Sequence, residues 1–287
     1  MIWDNIPRTN CFSLGDFHDF DRCTFRFFVN HHLRKKYELA EGTANQTVGS
    51  LLDLAIKKLH QVKAYGQPVE YLPNLIKAAE REIKEDVVKR GTNSFYGAQL
   101  LFLSEETITK AQQIFKNYYL DLGGKVKRAV LTPTTRKVKP FWEHVITGSE
   151  PMKLWGGADS IEMGEASVPE VVDYKYLEKG DESTEFLDMD LMPKLYTLLC
   201  AQELIDLGYK QARFYIRLWH DPRNGSYYEE FDLSSMPNIE AFLKDKIERI
   251  LRIRQLSFCE KDFCKACNSP HREEWIKQLQ TQGWIEG

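Results

Sequence analysis

The chain has 287 residues, 43% hydrophobic and 28% charged, enough apolar surface to bury one sizeable core and fitting an ordinary soluble protein of one or two domains. The opening MIWDNIPRTN lacks the cationic and apolar regions of a signal peptide, and no segment approaches the roughly 18 apolar residues of a membrane span, so a cytoplasmic location is expected, with a phage or viral source also compatible. A net charge of −3 does not advertise a polyanionic partner, so any nucleic-acid surface must come from local clusters.

The first half reads as helical. After Ser13, the run from Asp16 to Lys36 carries Phe17, Phe20, Phe27 and Phe28 at near-helical spacing, and Thr47 to Val62 repeats Leu and Ile on one face. Longer helices are expected from about Tyr71 to Arg90 and from about Ser104 to Leu122, the latter ended by Gly123-Gly124. The segment 13–124 is thus a helical wrap. Three basic clusters, Arg34-Lys35-Lys36, Lys125 with Lys127 and Arg128, and Arg136 with Lys137 and Lys139, each read as a solvated face when taken alone.

From Lys125 the period changes, because VKRAVLTP, KPFWEHVI, LWGGADSIEM and VPEVVDYKY alternate or run with β-branched and aromatic residues, as a strand meander does. The polar KGDEST loop follows and reads as mobile. A helix is then expected from about Asp190 to Asp206, with Pro193 in its first turn and Gly208 beyond its end. Strands ARFYIRLW and SYYEEFDL lead to a helix from about Asn238 to Leu256 and a cysteine-rich tail over 257–287.

Within VVDYKY, alternation sends Asp173 and Lys175 to the same side of a strand. The preceding predicted strand carries Asp159, and a hairpin through residues 164 to 169 brings it alongside Asp173. Phosphodiester cleavage needs that assortment: carboxylates to hold Mg²⁺ or Mn²⁺ through oxygen, and a lysine to position or deprotonate a water. For proton abstraction the lysine pKa would have to fall. A lone D-x-K arises often by chance in charged strands, and the structural alternative is a simple ion pair.

These residues carry a resemblance. GGADSI followed by VVDYKY resembles motifs II and III of the PD-(D/E)XK nucleases. In the branch related to RecB and AddB exonucleases and to the CRISPR adaptation nucleases, an upstream helix carries Gly-x-x-x-His and a later one Gln-x-x-x-Tyr. The corresponding segments here are Gly49-Ser50-Leu51-Leu52-Asp53 and Met192-Pro193-Lys194-Leu195-Tyr196, both degenerate. Asp53 can still give a metal an oxygen ligand, whereas Met192 cannot make the polar contacts of glutamine. The resemblance implies Asp159, Asp173, Lys175 and Tyr196 as catalytic residues, and Asp53, Asp159, Asp173 and the Tyr174 carbonyl as metal ligands. It implies an α/β (α+β) restriction-endonuclease-like fold, a central mixed sheet flanked by helices, within a single domain over 1–287 whose catalytic sheet and helices span 125–256.

Six cysteines occur, and three crowd into CEKDFCKAC, a spacing that in a reducing compartment argues for metal ligation over a disulfide framework. The same family branch ties its termini with a [4Fe-4S] cluster, which resemblance assigns to Cys23, Cys259, Cys264 and Cys267. The spacing C-x4-C-x2-C differs from the family's usual C-x2-C-x5-C, leaving open Zn²⁺, with His271 a further ligand, or free buried thiols. Cys11 and Cys200 read as small apolar residues, and Phe25, Phe27 and Phe28 as core packing. The function expected is a metal-dependent deoxyribonuclease, exonucleolytic on single-stranded DNA, working with helicase, recombination or adaptation proteins. The alternatives are an inactive DNA-binding module and a metal-linked structural protein.

Overall fold

The computed structural model describes residues 10–33, 35, 42–92, 96–124, 126–131, 137–142 (backbone only), 152–176, 190–220, 228–259 and 264–286. The KGDEST loop, Arg34, Lys36, Lys125 and Arg136 lie outside the described residues. The chain divides into two compact units, one built from Met1–Ala40, Lys137–Gly156 and Met236–Gly287, the other from Glu41–Arg136 and Gly157–Ser235.

The first unit contains strand β1 (Cys11–Phe12) and helices α1 (Leu14–Arg22) and α2 (Thr24–His31). The single helix expected from Asp16 to Lys36 is broken at Cys23, whose backbone is extended and whose sulfur caps α2 by accepting the Arg26 amide at 3.4 Å. Phe12, Phe17, Phe25, Phe27 and Phe28 are all buried, so these aromatics form core. This unit also holds strands β3 (Lys137–Trp142) and β4 (Met152–Gly156) and helices α8 (Met236–Arg252) and α9 (Arg272–Thr281). Its three-stranded sheet runs β1-β4-β3, with β1 parallel and β3 antiparallel to β4.

The second unit carries helices α3 (Ala44–Gln61), α4 (Leu72–Arg90), α5 (Gly97–Leu100) and α6 (Glu105–Asp121). Thr43 and Ser104 cap α3 and α6 by accepting amides of Gln46 and Thr107. Gly123 and Gly124 adopt positive φ after α6, a conformation that a side chain would strain. Its sheet joins β2 (Ala129–Leu131), β5 (Ser160–Met163), β6 (Pro169–Lys175), β7 (Gln211–Leu218) and β8 (Tyr228–Asp232), in the order β2-β5-β6-β7-β8. Helix α7 (Leu191–Asp206) connects β6 to β7, which pair in parallel, while the remaining pairs are antiparallel. The strands expected as one meander from Lys125 on are divided, β3 and β4 lying in the three-stranded sheet and β2, β5 and β6 in this mixed one, whose parallel β6–β7 pair has the helical crossover that parallel pairing demands.

Two layers cover this sheet. Leu51, Leu52 and Ile56 of α3, with Phe115 of α6, pack on the face that presents Val172, Tyr174 and Trp219. On the other face Tyr196 of α7 meets Phe214, with ring centroids 6.2 Å apart. Helices thus flank a mixed five-stranded sheet, the restriction-endonuclease-like α/β arrangement expected from the sequence. LWGGADSIEM is not one strand: it leaves β4 at Gly156 and enters the other sheet at Ser160, with Asp159 in the bend between.

Candidate active site and cysteine cluster

Strands β5 and β6 form the expected hairpin, pairing Ser160 with Val172 and Met163 with Pro169. Its connection is tight: a Cβ on Gly164 would collide with the Glu170 carboxylate and the Val168 carbonyl. The register places Asp159 beside Asp173, and the Asp159 amide donates to the Val172 carbonyl at 2.9 Å. The Tyr174 amide in turn donates to Asp159 Oδ2 at 2.9 Å. Asp173 pairs across β7 with Ile216 and Lys175 with Leu218, so both project from the face that α7 covers. The three residues picked from the sequence are therefore gathered at one hairpin.

Asp173 is 3% exposed. Lys175 Nζ lies 2.5 Å from its buried Oδ2 as an ion pair. Burial pushes the Asp173 carboxyl up to about 6 against the pull of Lys175, with Asp159 adding to the rise. Burial works against the Lys175 ammonium, but Asp173, Tyr196 and Asp159 together outweigh it and hold the group well above its ordinary range. Without a cation this is opposite to the fall that proton abstraction requires, so Lys175 stands as a charged donor.

Helix α3 adds residues to the same place. Asp53 accepts from Trp219 Nε1 at 3.4 Å, and its carboxyl is pushed well above the usual range, first by desolvation and then by Asp159. One turn on, Lys57 Nζ lies 3.1 Å from Asp159 Oδ1. Burial opposes the Lys57 ammonium, but Asp159 and then Asp53 push it up to about 12. Three mutually repelling acids, two of them held by lysine ammonium groups, are an oxygen donor set suited to a hard divalent cation. Of the remaining expected residues, Tyr196 lies in the electrostatic field of Lys175, and Met192 is buried. Gly49 comes near the end of β6, where a Cβ would stand 3.7 Å from Tyr176 Cβ, an ordinary contact.

A second group behind the hairpin escaped the sequence reading. Glu162 is fully buried and accepts from Arg217 Nη1 and from the Tyr174 hydroxyl, each at 2.6 Å, while His60 Nε2 lies 3.7 Å away. Arg217 also bonds Glu170, which Lys127 Nζ meets at 2.8 Å. Lys127, expected on a solvated basic face, is thus spent on a buried carboxylate. Burial pushes Glu162 upward, but Arg217, then His60 and Tyr174, lower it to about 2. Tyr174 links the two groups, because its hydroxyl holds Glu162 while its amide holds Asp159. The spacing of Asp53, Lys57 and His60, at i, i+4 and i+7 on one helix face, is the signal that could have found what α3 gives to the two groups.

In the first unit the four expected cysteines converge, their sulfurs all within 4.8 Å of one another. Cys23 Sγ lies 3.4 Å from Cys267 Sγ, and Cys259 Sγ 3.8 Å from Cys267 Sγ. Burial pushes the Cys264 and Cys267 thiols up, so these two stay neutral unless a cation compensates. The arrangement can bind a metal ion or cluster, and it joins segments near the two ends of the chain. His271 is not part of it: its Nδ1 lies 3.4 Å from Glu274 at the start of α9. Cys11 and Cys200 are buried elsewhere. No helix among the described residues is long and apolar enough to cross a membrane.

No curated protein matches the chain. The crystal structure of SSO0001 is similar at 14% identity, covering 78% of this chain and 85% of that one with a TM-score of 0.29, a likeness too loose to carry an argument. A sequence model of the PD-(D/E)XK nuclease superfamily matches residues 12–272, which includes the hairpin, Asp53 and all four clustered cysteines. The chain belongs to the PD-(D/E)XK nuclease superfamily, whose members are metal-dependent nucleases.

Proposed function

We propose that the chain is an exonuclease that hydrolyses phosphodiester bonds of single-stranded DNA, with Asp159, Asp173 and Lys175 at its centre. The observation that carries this reading is the hairpin that sets Asp159 against a buried Asp173, with Lys175 on the same face and paired with Asp173. Mg²⁺ or Mn²⁺ bound there would polarise the scissile phosphate and lower the pKa of a water. Asp173 would offer its carboxylate, Asp53 a third carboxylate and Tyr174 its carbonyl, while the Tyr174 amide fixes the orientation of Asp159. Lys175, kept charged, orients the attacking water or the phosphate, and Tyr196 borders it.

The single-strand preference, the place in recombination, repair or phage-type DNA processing, and helicase or adaptation partners rest on the family resemblance. The family match runs through both compact units, which supports reading 1–287 as one nuclease domain. Resemblance also assigns a [4Fe-4S] cluster to the four cysteines. Their close spacing favours a second reading there, since a tetrahedral Zn²⁺ with sulfur at about 2.3 Å sets sulfurs about 3.8 Å apart. Separations of 3.4 and 3.8 Å lie near that value. Absorbance near ~400 nm in the purified protein identifies iron–sulfur, and its absence together with stoichiometric zinc identifies the single ion.

The test of the function is incubation with single-stranded DNA labelled at either end, in Mn²⁺ and in EDTA. Progressive mononucleotide release in Mn²⁺ alone is expected. DNA binding without metal-dependent cleavage would instead make the protein a binding module, and internal cuts would make it an endonuclease.

A further inference from the structure

Lys57 has no part in the reaction as described, yet it sits among the acids. It follows Asp53 by one helical turn, which puts both side chains on the same face of α3. Its Nζ is 3.1 Å from Asp159 Oδ1, and the pair is mostly removed from water, the side chains being 23% and 12% exposed. The other Asp159 oxygen already accepts the Tyr174 amide. Asp159 therefore has both oxygens engaged, and Asp173 is paired through Oδ2 with the Lys175 ammonium. Asp53, Asp159 and Asp173 carry three negative charges when ionised, and Lys57 with Lys175 returns two positive ones, the charge of one divalent cation.

We propose that Lys57 is a resident counter-ion that competes with the divalent cation for Asp159, so that cation entry requires its ammonium to release Asp159 Oδ1. This rests on the reading of Asp159 and Asp173 as the cation site. The physical cause is direct: in a site of low effective dielectric, acids without a compensating charge repel one another, and whichever cation is present relieves them. A flexible stem with access to solvent lets the ammonium leave, whereas the Tyr174 amide stays with its strand. Lys57 thus stabilises the cation-free protein and weakens cation affinity.

The test is calorimetric titration of Mg²⁺ into the full chain as purified, without DNA. Mg²⁺ is the probe because it avoids thiolate ligands, and Asp159→Asn identifies the heat that belongs to this site. Removing the ammonium in Lys57→Met should tighten Mg²⁺ binding by about tenfold or more, while Lys57→Arg stays near or below wild-type affinity. The Lys57→Met variant should also melt below wild type in EDTA and recover more on adding Mg²⁺. If Lys57→Met does not fold, Lys57→Gln, which keeps a donor without the charge, carries the same expectation. Equal or weaker binding in the folded neutral variant overturns the role of Lys57 and leaves the nuclease reading standing. Wild-type protein with no Asp159-dependent Mg²⁺ binding overturns both.

Discussion

Replacing Arg217 with methionine tests the buried support behind the hairpin. The substitution keeps an apolar stem but removes the bonds to Glu162, which has no exposure, and to Glu170, at 2%. In the wild type, Glu162 is lowered from an ordinary 4.5 to about 2, a difference worth about 3 kcal/mol. With a depressed folded-state pKa, that stability is fully present above the unfolded value and is lost as pH falls through about 2. In Arg217→Met the sign reverses. Desolvation now dominates, the folded pKa rises above the unfolded one, and stability declines as pH climbs through the window between them. A buried carboxylate stripped of its partner typically costs about 3–5 kcal/mol, and here His60 and Tyr174 remain beside Glu162, and Lys127 beside Glu170, placing the expected loss near ~3 kcal/mol. Urea unfolding followed by circular dichroism should show that loss at about pH 7 and a smaller one at about pH 5, where protonation relieves the buried acids. A loss below about 1 kcal/mol at neutral pH, or one that grows on acidification, would refute the reasoning.

Two further substitutions separate chemistry from support. Lys175→Ala should abolish cleavage while retaining DNA affinity in a binding assay, because it removes the charged donor for water or phosphate; an unchanged rate contradicts that role. Cys23→Ser should lower the melting temperature more than it alters the rate per folded molecule, since its sulfur both caps α2 and joins the thiol group. An unaltered melting temperature counts against the site being loaded.

The hairpin was legible because its signals are local. Alternation places Asp173 and Lys175 together, and a short connection forces β5 against β6, so residue order alone brings Asp159 alongside. Cys23 and the tail cysteines were legible as a group through family resemblance, but the break in the helix was not. The phenylalanine spacing runs on through Cys23, and only the extended backbone there reveals two helices. LWGGADSIEM reads as one strand because both halves are strand-forming, and nothing local says that the chain changes sheet at Gly156-Gly157. The parallel pairing of β6 with β7 could have been inferred from the helix-length segment between them. Glu162 and Arg217 stayed hidden for a different reason. Each looks like a charged residue on the wet side of a strand, and their partnership spans 55 residues of sequence. Lys57 looked like an ordinary polar position on an amphipathic helix until Asp159 stood opposite it.

The central claim is that a divalent cation is gripped between Asp159 and Asp173. Anomalous diffraction from crystals soaked in Mn²⁺ locates that ion directly. The account predicts a peak within ligand distance of both carboxylates, lost in Asp173→Ala crystals treated the same way. A peak that ignores Asp159 and Asp173, or that persists without Asp173, contradicts it.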